Sequence, residues 1–136
     1  MKIDAPIITR DPIDAADLST KIEASGFDGL CTFEGPHEPF LPLAVAASNT
    51  KKINLITSIA IAFARNPMLL ANIGYDLQLL SKGRFIMGLG SQIKPHIERR
   101  FSMPWSSPAN RMREMIQAIK SIWECWENGT QLNFKG

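Results

Sequence analysis

Short apolar runs alternate with amphipathic stretches along the whole chain. Four runs have the length of a strand, at Ile3–Ile8, Phe27–Phe33, Ile53–Ile61 and Arg84–Leu89. Each is followed by a stretch with apolar residues at helical spacing, and these stretches are Asp14–Ser25, Leu41–Ser48, Pro67–Ser81 and Ala109–Trp126. Strand–helix units in succession predict right-handed crossovers and a parallel sheet. A fifth strand or a hairpin is expected to begin at Asn133–Gly136.

The residues around the third helical stretch define both of its ends. Asn66 is placed to cap the helix, and Pro67 occupies the first position, where a missing N–H is not needed. Gly83 follows the last turn, as Gly129 follows the fourth helix. By the same reasoning, Asp14 is expected to cap the first helix.

The strands read as nearly continuous apolar runs, a pattern typical of parallel strands that are buried on both faces. Two architectures join such strands by helices: an open, doubly wound sheet and an eight-stranded (β/α)8 barrel of the TIM type. Residues 1–136 are therefore expected to be at most one α/β domain, with about four strand–helix units.

One connection is much longer than the others. It runs from Ser91 to Pro108, between the fourth strand and the fourth helix, and carries Lys94, His96 and Trp105 among other charged and aromatic residues. Long loops in compact domains are usually functional or disordered. This mixture of residues favours an ordered lid.

Composition excludes several classes of protein. Hydrophobic residues make up 45% and charged residues 21% of the chain, as in soluble globular proteins. The net charge of +2 is too small to indicate nucleic acid or a membrane surface as a partner. The start of the sequence has no basic stretch followed by an apolar one, so we expect no signal peptide, and no apolar run reaches membrane length. Cys31 and Cys125 lack metal-ligand spacing, so we expect no metal site and two free thiols in a reducing cytoplasm.

Glu34 comes directly after the second strand, and His37 follows three residues later. In parallel barrels the working carboxylates stand at this carboxyl end of the strands, which makes the pair candidates for acid–base chemistry. The alternatives remain open: Glu34 is equally placed to start the second helix or to pair with Arg65, and a loop histidine such as His37 is often simply solvated.

Two further patterns are weaker. Gly88-Leu89-Gly90 follows a strand as in a dinucleotide-binding motif, but Ile93 stands where the third glycine belongs. These glycines are better explained by a tight turn at a barrel rim and close approach of a flat ligand. The arginine cluster, formed by Arg99, Arg100, Arg111 and Arg113, suits either an anionic ligand or, more simply, a solvated surface paired with acids.

Several segments together resemble the luciferase-like monooxygenase superfamily, and more narrowly its deazaflavin-dependent oxidoreductase branch. They are GFDGLCTFE, INLITSIAIAFARNPMLLA, DLQLLSKGRFIMGLGSQ and KPHIERRFSMPWSSPANRMREMIQAIKSIWECW. The resemblance extends from Met1 to Gly136. It implies the N-terminal half of a (β/α)8 barrel that binds FMN or the deazaflavin coenzyme F420 at its C-terminal mouth. The implied activity is hydride transfer to, or monooxygenation of, a small organic substrate.

The resemblance also assigns positions for the cofactor. It implies a non-prolyl cis peptide at Ser58-Ile59, behind the flavin ring, with Ser58, Ile59 and Ala60 in contact with that ring. It places Gly90 and Ser91 on a rim segment that approaches the cofactor.

For the chemistry, the resemblance places Glu34 where several members have an acid near the ring. Gly35 stands where some members have a catalytic histidine, so this chain departs from the family pattern there. Within the same loop, His37 is the candidate to take the place of that histidine. The long loop is implied to close over the substrate, with Gln92, His96 and Trp105 as candidate lid residues.

The resemblance covers only the first half of that barrel. The family's main contacts to the coenzyme phosphates come from later loops, and the first and fourth strands are expected to be open edges. We therefore expect a fragment, a split product, or a half-barrel that forms a homodimer or pairs with a separate C-terminal half. The alternative function is a non-catalytic half-barrel. A barrel enzyme for phosphorylated metabolites is disfavoured because no Lys or Asp stands at the strand ends.

Overall fold

The computed structural model describes residues 1–135. The strands are β1 (Asp4–Pro6), β2 (Gly29–Thr32), β3 (Asn54–Thr57), β4 (Ala60–Ile61), β5 (Phe85–Ile86) and β6 (Leu89–Gly90). The α-helices are α1 (Ala15–Ala24), α2 (Phe40–Asn49), α3 (Pro67–Leu80) and α4 (Pro108–Asn128). The chain forms two compact units, residues 1–60 with 76–89, and residues 61–75 with 90 onward.

The first unit contains a parallel sheet in the order β1-β2-β3-β5, as predicted from the strand–helix alternation. One row of paired residues runs across it through Ala5, Leu30, Leu55 and Phe85. The last three are buried, and the Phe85 ring packs edge-on against Phe40 of α2 at 6.3 Å between centroids. This face is therefore the core face of the unit.

The opposite face of the same sheet is far less covered. The neighbouring row consists of Pro6, Cys31, Ile56 and Ile86, of which none is fully buried, and Ile86 is 48% exposed. The expectation that the strands are buried on both faces is therefore wrong for the described residues. A continuous apolar run shows that the residues on both faces favour a strand, but it does not show which of the two faces is covered by a helix.

Arg84 ties the start of β5 to the end of α2. Its guanidinium donates to the carbonyl oxygens of Ala47 and Thr50, to Thr50 Oγ1 and to the Ile53 carbonyl, at 2.8–3.1 Å. The last carbonyls of a helix lack partners within the helix, so these bonds satisfy groups that would otherwise face the core.

Several predicted boundaries are corrected. The strand expected over Ile53–Ile61 is interrupted after Thr57, and the one expected over 84–89 contributes only Phe85–Ile86 to the sheet. Asp14 makes no side-chain cap; Asp11 does so one turn earlier, accepting from the Ile13 N–H at 3.0 Å. Residues 131–135 contain no strand, and Gly136 of the expected fifth strand lies outside the described residues.

In the second unit, helix α4 packs against the first turns of α3. Trp123 Nε1 donates to the Ala71 carbonyl at 2.9 Å, and the Trp126 ring meets Tyr75 edge-on at 5.3 Å. Asn66 caps α3 as predicted, accepting from the Leu69 N–H at 2.9 Å. Gly129 ends α4 at φ 64°, the left-handed conformation for which glycine was expected.

Candidate functional site

The carboxyl ends of β2 and β3 are joined beyond the last paired residues of the strands. The Ser58-Ile59 peptide is cis, as predicted. The Ser58 N–H donates to the Thr32 carbonyl at 2.6 Å, and the Glu34 N–H donates to the Ile59 carbonyl at 3.1 Å. These two bonds hold the backbone of Glu34 beside the segment that follows β3, so the structure brings these predicted site residues together.

Thr57 and Gly88 fix that segment from the other side. Thr57 is fully buried, and its hydroxyl accepts from the Gly88 N–H at 2.8 Å and donates to the Gly88 carbonyl at 2.9 Å. The Ala60 N–H donates to the same carbonyl at 2.9 Å. A Cβ at position 88 would collide with the Thr57 carbonyl oxygen, so only glycine fits there.

The segment after β3 presents two of its three predicted ring-contact residues at the surface. Ser58 is exposed and Ile59 is half-buried, whereas Ala60 is fully buried beneath them. Glu34 is half-buried beside them. We name Glu34, Ser58, Ile59 and Ala60 the β3 ledge. Its apolar surface with a hydroxyl and a carboxylate nearby has the chemistry that suits a flat ring with polar edges.

A groove of about 680 Å³ lies at the carboxyl ends of β1 and β2, in the same unit. His37 and Gly35 line it, together with Arg10 from the loop after β1. The groove holds His37 as an exposed side chain, three residues along from Glu34. Thr32 Oγ1 donates to the Pro39 carbonyl at 2.8 Å and so fastens both ends of the loop that carries them.

The remaining predicted residues belong to the second unit. These are Gly90, Ser91, Gln92, His96 and Trp105. Gly90, Ser91 and Gln92 are half-buried, and Gln92 has φ 58°, an uncommon conformation for a residue other than glycine. The Gln92 side chain accepts from the Ile93 N–H at 3.0 Å, which stabilises the turn locally.

The long connection is ordered around one aromatic side chain, in agreement with the prediction of an ordered loop. The Trp105 ring meets Phe63 edge-on at 5.8 Å, and the Arg111 guanidinium lies over Phe63 at 4.4 Å. Arg111 also donates to the Pro104 carbonyl at 2.6 Å. His96 begins a π-helical turn, His96–Arg100, and is exposed.

Two groups in the first unit have a shifted pKa. Burial and the neighbouring Asp4 charge raise the pKa of the Cys31 thiol, so this cysteine has the properties of a neutral apolar residue. Burial opposes ionisation of Glu23, but bonds from the N–H groups of Ile53, Lys52 and Lys51 and the Arg84 charge outweigh it and lower its pKa.

Within residues 1–135, no three His, Cys, Asp or Glu side chains are grouped so as to hold a metal ion. No helix in that range is both long enough and apolar enough to cross a membrane.

Two residues were missed by sequence reasoning. Thr57 was seen only as part of an apolar run, and its hydroxyl pairing with Gly88 depends on a partner far along the chain. Arg10 follows the first strand as Glu34 follows the second, so the rule that rim residues come after strands was sufficient to nominate it.

The family model for luciferase-like monooxygenases matches residues 4–136. The chain belongs to this family. An uncharacterized protein of Mycobacterium tuberculosis is 58% identical over 122 residues, which are 90% of this chain and 36% of that protein. An F420-dependent glucose-6-phosphate dehydrogenase of Amycolatopsis mediterranei is 28% identical, over 92% of this chain and 40% of its own length. The chain therefore spans little more than a third of the length of the curated relatives it matches.

The fold is also that of solved structures. The oxygenating constituent of 3,6-diketocamphane monooxygenase from Pseudomonas putida, solved with FMN, superposes with a TM-score of 0.78 at 17% identity. The match covers 91% of this chain and 40% of that one. Together with the parallel order β1-β2-β3-β5, this confirms the predicted α/β class and the correspondence to half of a (β/α)8 barrel.

Proposed function

We propose that this chain is the N-terminal part of a flavin- or deazaflavin-dependent oxidoreductase. Its reaction is hydride transfer to, or monooxygenation of, a small organic substrate in the cytoplasm. The observation that carries the proposal is the β3 ledge within a family match of residues 4–136. A relative named for F420 and a similar structure solved with FMN support both cofactors as candidates.

In this proposal the β3 ledge binds the cofactor ring. Ser58 and Ile59 present the surface that meets the ring, and Ala60 supports them from beneath. Gly90 and Ser91 form the rim segment that approaches the cofactor. The bound flavin or deazaflavin supplies the hydride or the reduced ring that activates oxygen, and the chain supplies position and a water-poor surface.

Glu34 and His37 have the acid–base roles in this proposal. Glu34 is held by its backbone beside Ile59 and makes a polar contact near the reacting centre. His37 lines the adjoining groove and moves the proton that accompanies hydride transfer. Gln92, His96 and Trp105 form the lid that excludes water, a role suited to the ordered packing of Trp105 on Phe63.

The test is a titration of the purified chain with FMN and with coenzyme F420, followed by absorbance and fluorescence. We expect weak binding of one of them, with a Kd of about 0.1–1 mM, because the chain spans only 36–40% of the length of the relatives compared above. Replacing Ile59 by Asp should weaken binding at least tenfold, since it places a charge against the ring.

The matched control is Ile116→Asp, which charges an isoleucine on α4 that is 39% exposed. Unchanged affinity in Ile59→Asp, or no spectral change at millimolar concentrations of both cofactors, would contradict the proposal.

A second candidate is a non-catalytic half-barrel that forms a homodimer or pairs with a separate C-terminal half. The weakly covered row through Cys31, Ile56 and Ile86 favours it, because that surface would be covered by another sheet. Size-exclusion chromatography beside the cofactor titration separates the candidates: association without cofactor binding supports this one.

A further inference from the structure

We propose that the groove at the ends of β1 and β2 binds an elongated apolar molecule that carries a carboxylate, and that this molecule is the substrate. The identification as substrate rests on the proposed oxidoreductase function. The groove itself is an observation of the first unit alone, with a volume of about 680 Å³. That volume lies within the range of small-molecule sites in proteins, about 300–1,000 Å³.

The walls of the groove are apolar and accessible. Ile8, Phe33 and Leu41 line it and are 73%, 51% and 52% exposed. Large apolar side chains exposed singly are ordinary, but here three come from separate segments and line one concave surface. A chain or ring that lies between them is removed from water, which is the main source of affinity for an apolar ligand.

The groove is held in shape without a ligand. The Ile7 N–H donates to the Cys31 carbonyl at 2.8 Å, which fixes the loop after β1 against β2. Thr32 Oγ1 holds the Pro39 carbonyl at 2.8 Å, and Pro36 stiffens the loop between them. A preformed site avoids much of the ordering cost of binding, so modest contacts suffice.

The polar residues of the groove favour a negative group on the ligand. Arg10 and His37 both line it, and within residues 1–135 neither has an ion-pair partner. The one acid, Glu38, accepts a hydrogen bond from the Phe40 N–H at the start of α2 at 3.4 Å. A carboxylate accepts paired hydrogen bonds from a guanidinium, which matches Arg10 better than a neutral or cationic group does.

The position of the groove connects it to the β3 ledge. Thr32 is a wall residue of the groove, and its carbonyl accepts from the Ser58 N–H at 2.6 Å. Phe33, which lines the groove, directly precedes Glu34 of the ledge, so a molecule bound along Phe33 lies beside the residues proposed for the ring chemistry.

The test is calorimetric titration of the full chain, without cofactor, with decanoate and with decan-1-ol as probes. We expect decanoate to bind about tenfold more tightly, the size expected for hydrogen bonds to a charged group. Arg10→Gln should remove this preference, whereas Lys120→Gln, which removes an exposed charge on α4, should keep it. Leu41→Gln, at a position that is 52% exposed, should weaken both probes.

Equal affinity for the two probes would overturn the assignment of an anionic ligand, and so would an unchanged preference in Arg10→Gln. No binding of either probe would overturn the groove as a ligand site. Because the titration contains no flavin, its result is independent of cofactor binding. If the chain binds decanoate but neither FMN nor F420, only the proposed oxidoreductase function is refuted. If it binds a cofactor but not decanoate or decan-1-ol, only the groove is refuted as a ligand site.

Discussion

The side chain of Thr57 illustrates how one hydroxyl can replace a strand pair. Beyond Ile56 and Ile86 the backbones of β3 and β5 no longer pair, yet Thr57 Oγ1 bonds both the N–H and the carbonyl of Gly88. Gly88 is in turn pressed against the Thr57 backbone, where no Cβ fits. The two residues therefore set the position of the β3 ledge without being part of its surface.

Replacing Thr57 by Val keeps the shape and removes the hydroxyl. The half-buried Gly88 N–H then loses its hydrogen bond to Thr57 Oγ1, and we expect the free energy of unfolding to fall by about 1–3 kcal/mol. Urea denaturation measures the change. Thr57→Ser is the control: it keeps the hydroxyl and should cost less than Thr57→Val. A loss in Thr57→Ser with none in Thr57→Val would show that the methyl packing, not the hydroxyl, matters.

At the scale of elements, helix α1 and strand β3 are connected by a carboxylate. Glu23, near the end of α1, accepts from the N–H groups of Lys51, Lys52 and Ile53 at 2.6–2.9 Å. These groups form the turn that leads into β3. The carboxylate therefore helps to set where β3 starts.

This connection predicts a dependence of stability on pH. The pKa of Glu23 is lowered in the folded chain, so ionised Glu23 stabilises the fold above the ordinary glutamate pKa of about 4.3. That contribution disappears as the pH falls through the lower folded pKa. The original chain should therefore lose more stability than Glu23→Gln between about pH 5 and pH 3, as measured by urea denaturation at each pH.

Glu124→Gln is the matched control, since it changes an exposed glutamate on α4. It should retain the acid sensitivity of the original chain. If Glu23→Gln and the original chain lose stability in parallel, the contribution of this carboxylate is refuted.

The elements also show which features a sequence predicts. The capped start of α3 at Asn66 and the glycine end of α4 follow from local chemistry, and both were predicted. The interruption after Thr57 was not, because apolar periodicity does not record where a neighbouring strand stops pairing. The role of Gly88 depends on the approach of Thr57 from a distant segment, and the cis Ser58-Ile59 bond followed only from the family resemblance.

At the scale of the whole molecule, the main question is what covers the second face of the sheet. In the described chain β1 pairs only with β2, and β5 only with β3, so each leaves one edge of backbone donors and acceptors open. The row that includes Cys31, Ile56 and Ile86 adds apolar surface beside those edges. Open edges and apolar sheet faces are the two features that drive sheets to associate.

We therefore expect the purified chain to associate in a concentration-dependent manner, as followed by analytical ultracentrifugation. Ile86→Lys should shift it toward the monomer, because a lysine at an edge strand opposes pairing and charges the apolar row. Leu79→Lys is the control, since it charges a side chain that is 65% exposed and belongs to helix α3, not to a strand. A chain that is monomeric at every concentration, or an equal effect of the two lysines, would refute association through the sheet. If Ile86→Lys dissociates the oligomer and Leu79→Lys does not, the contact lies at β5, the edge where a further strand of a barrel would pair.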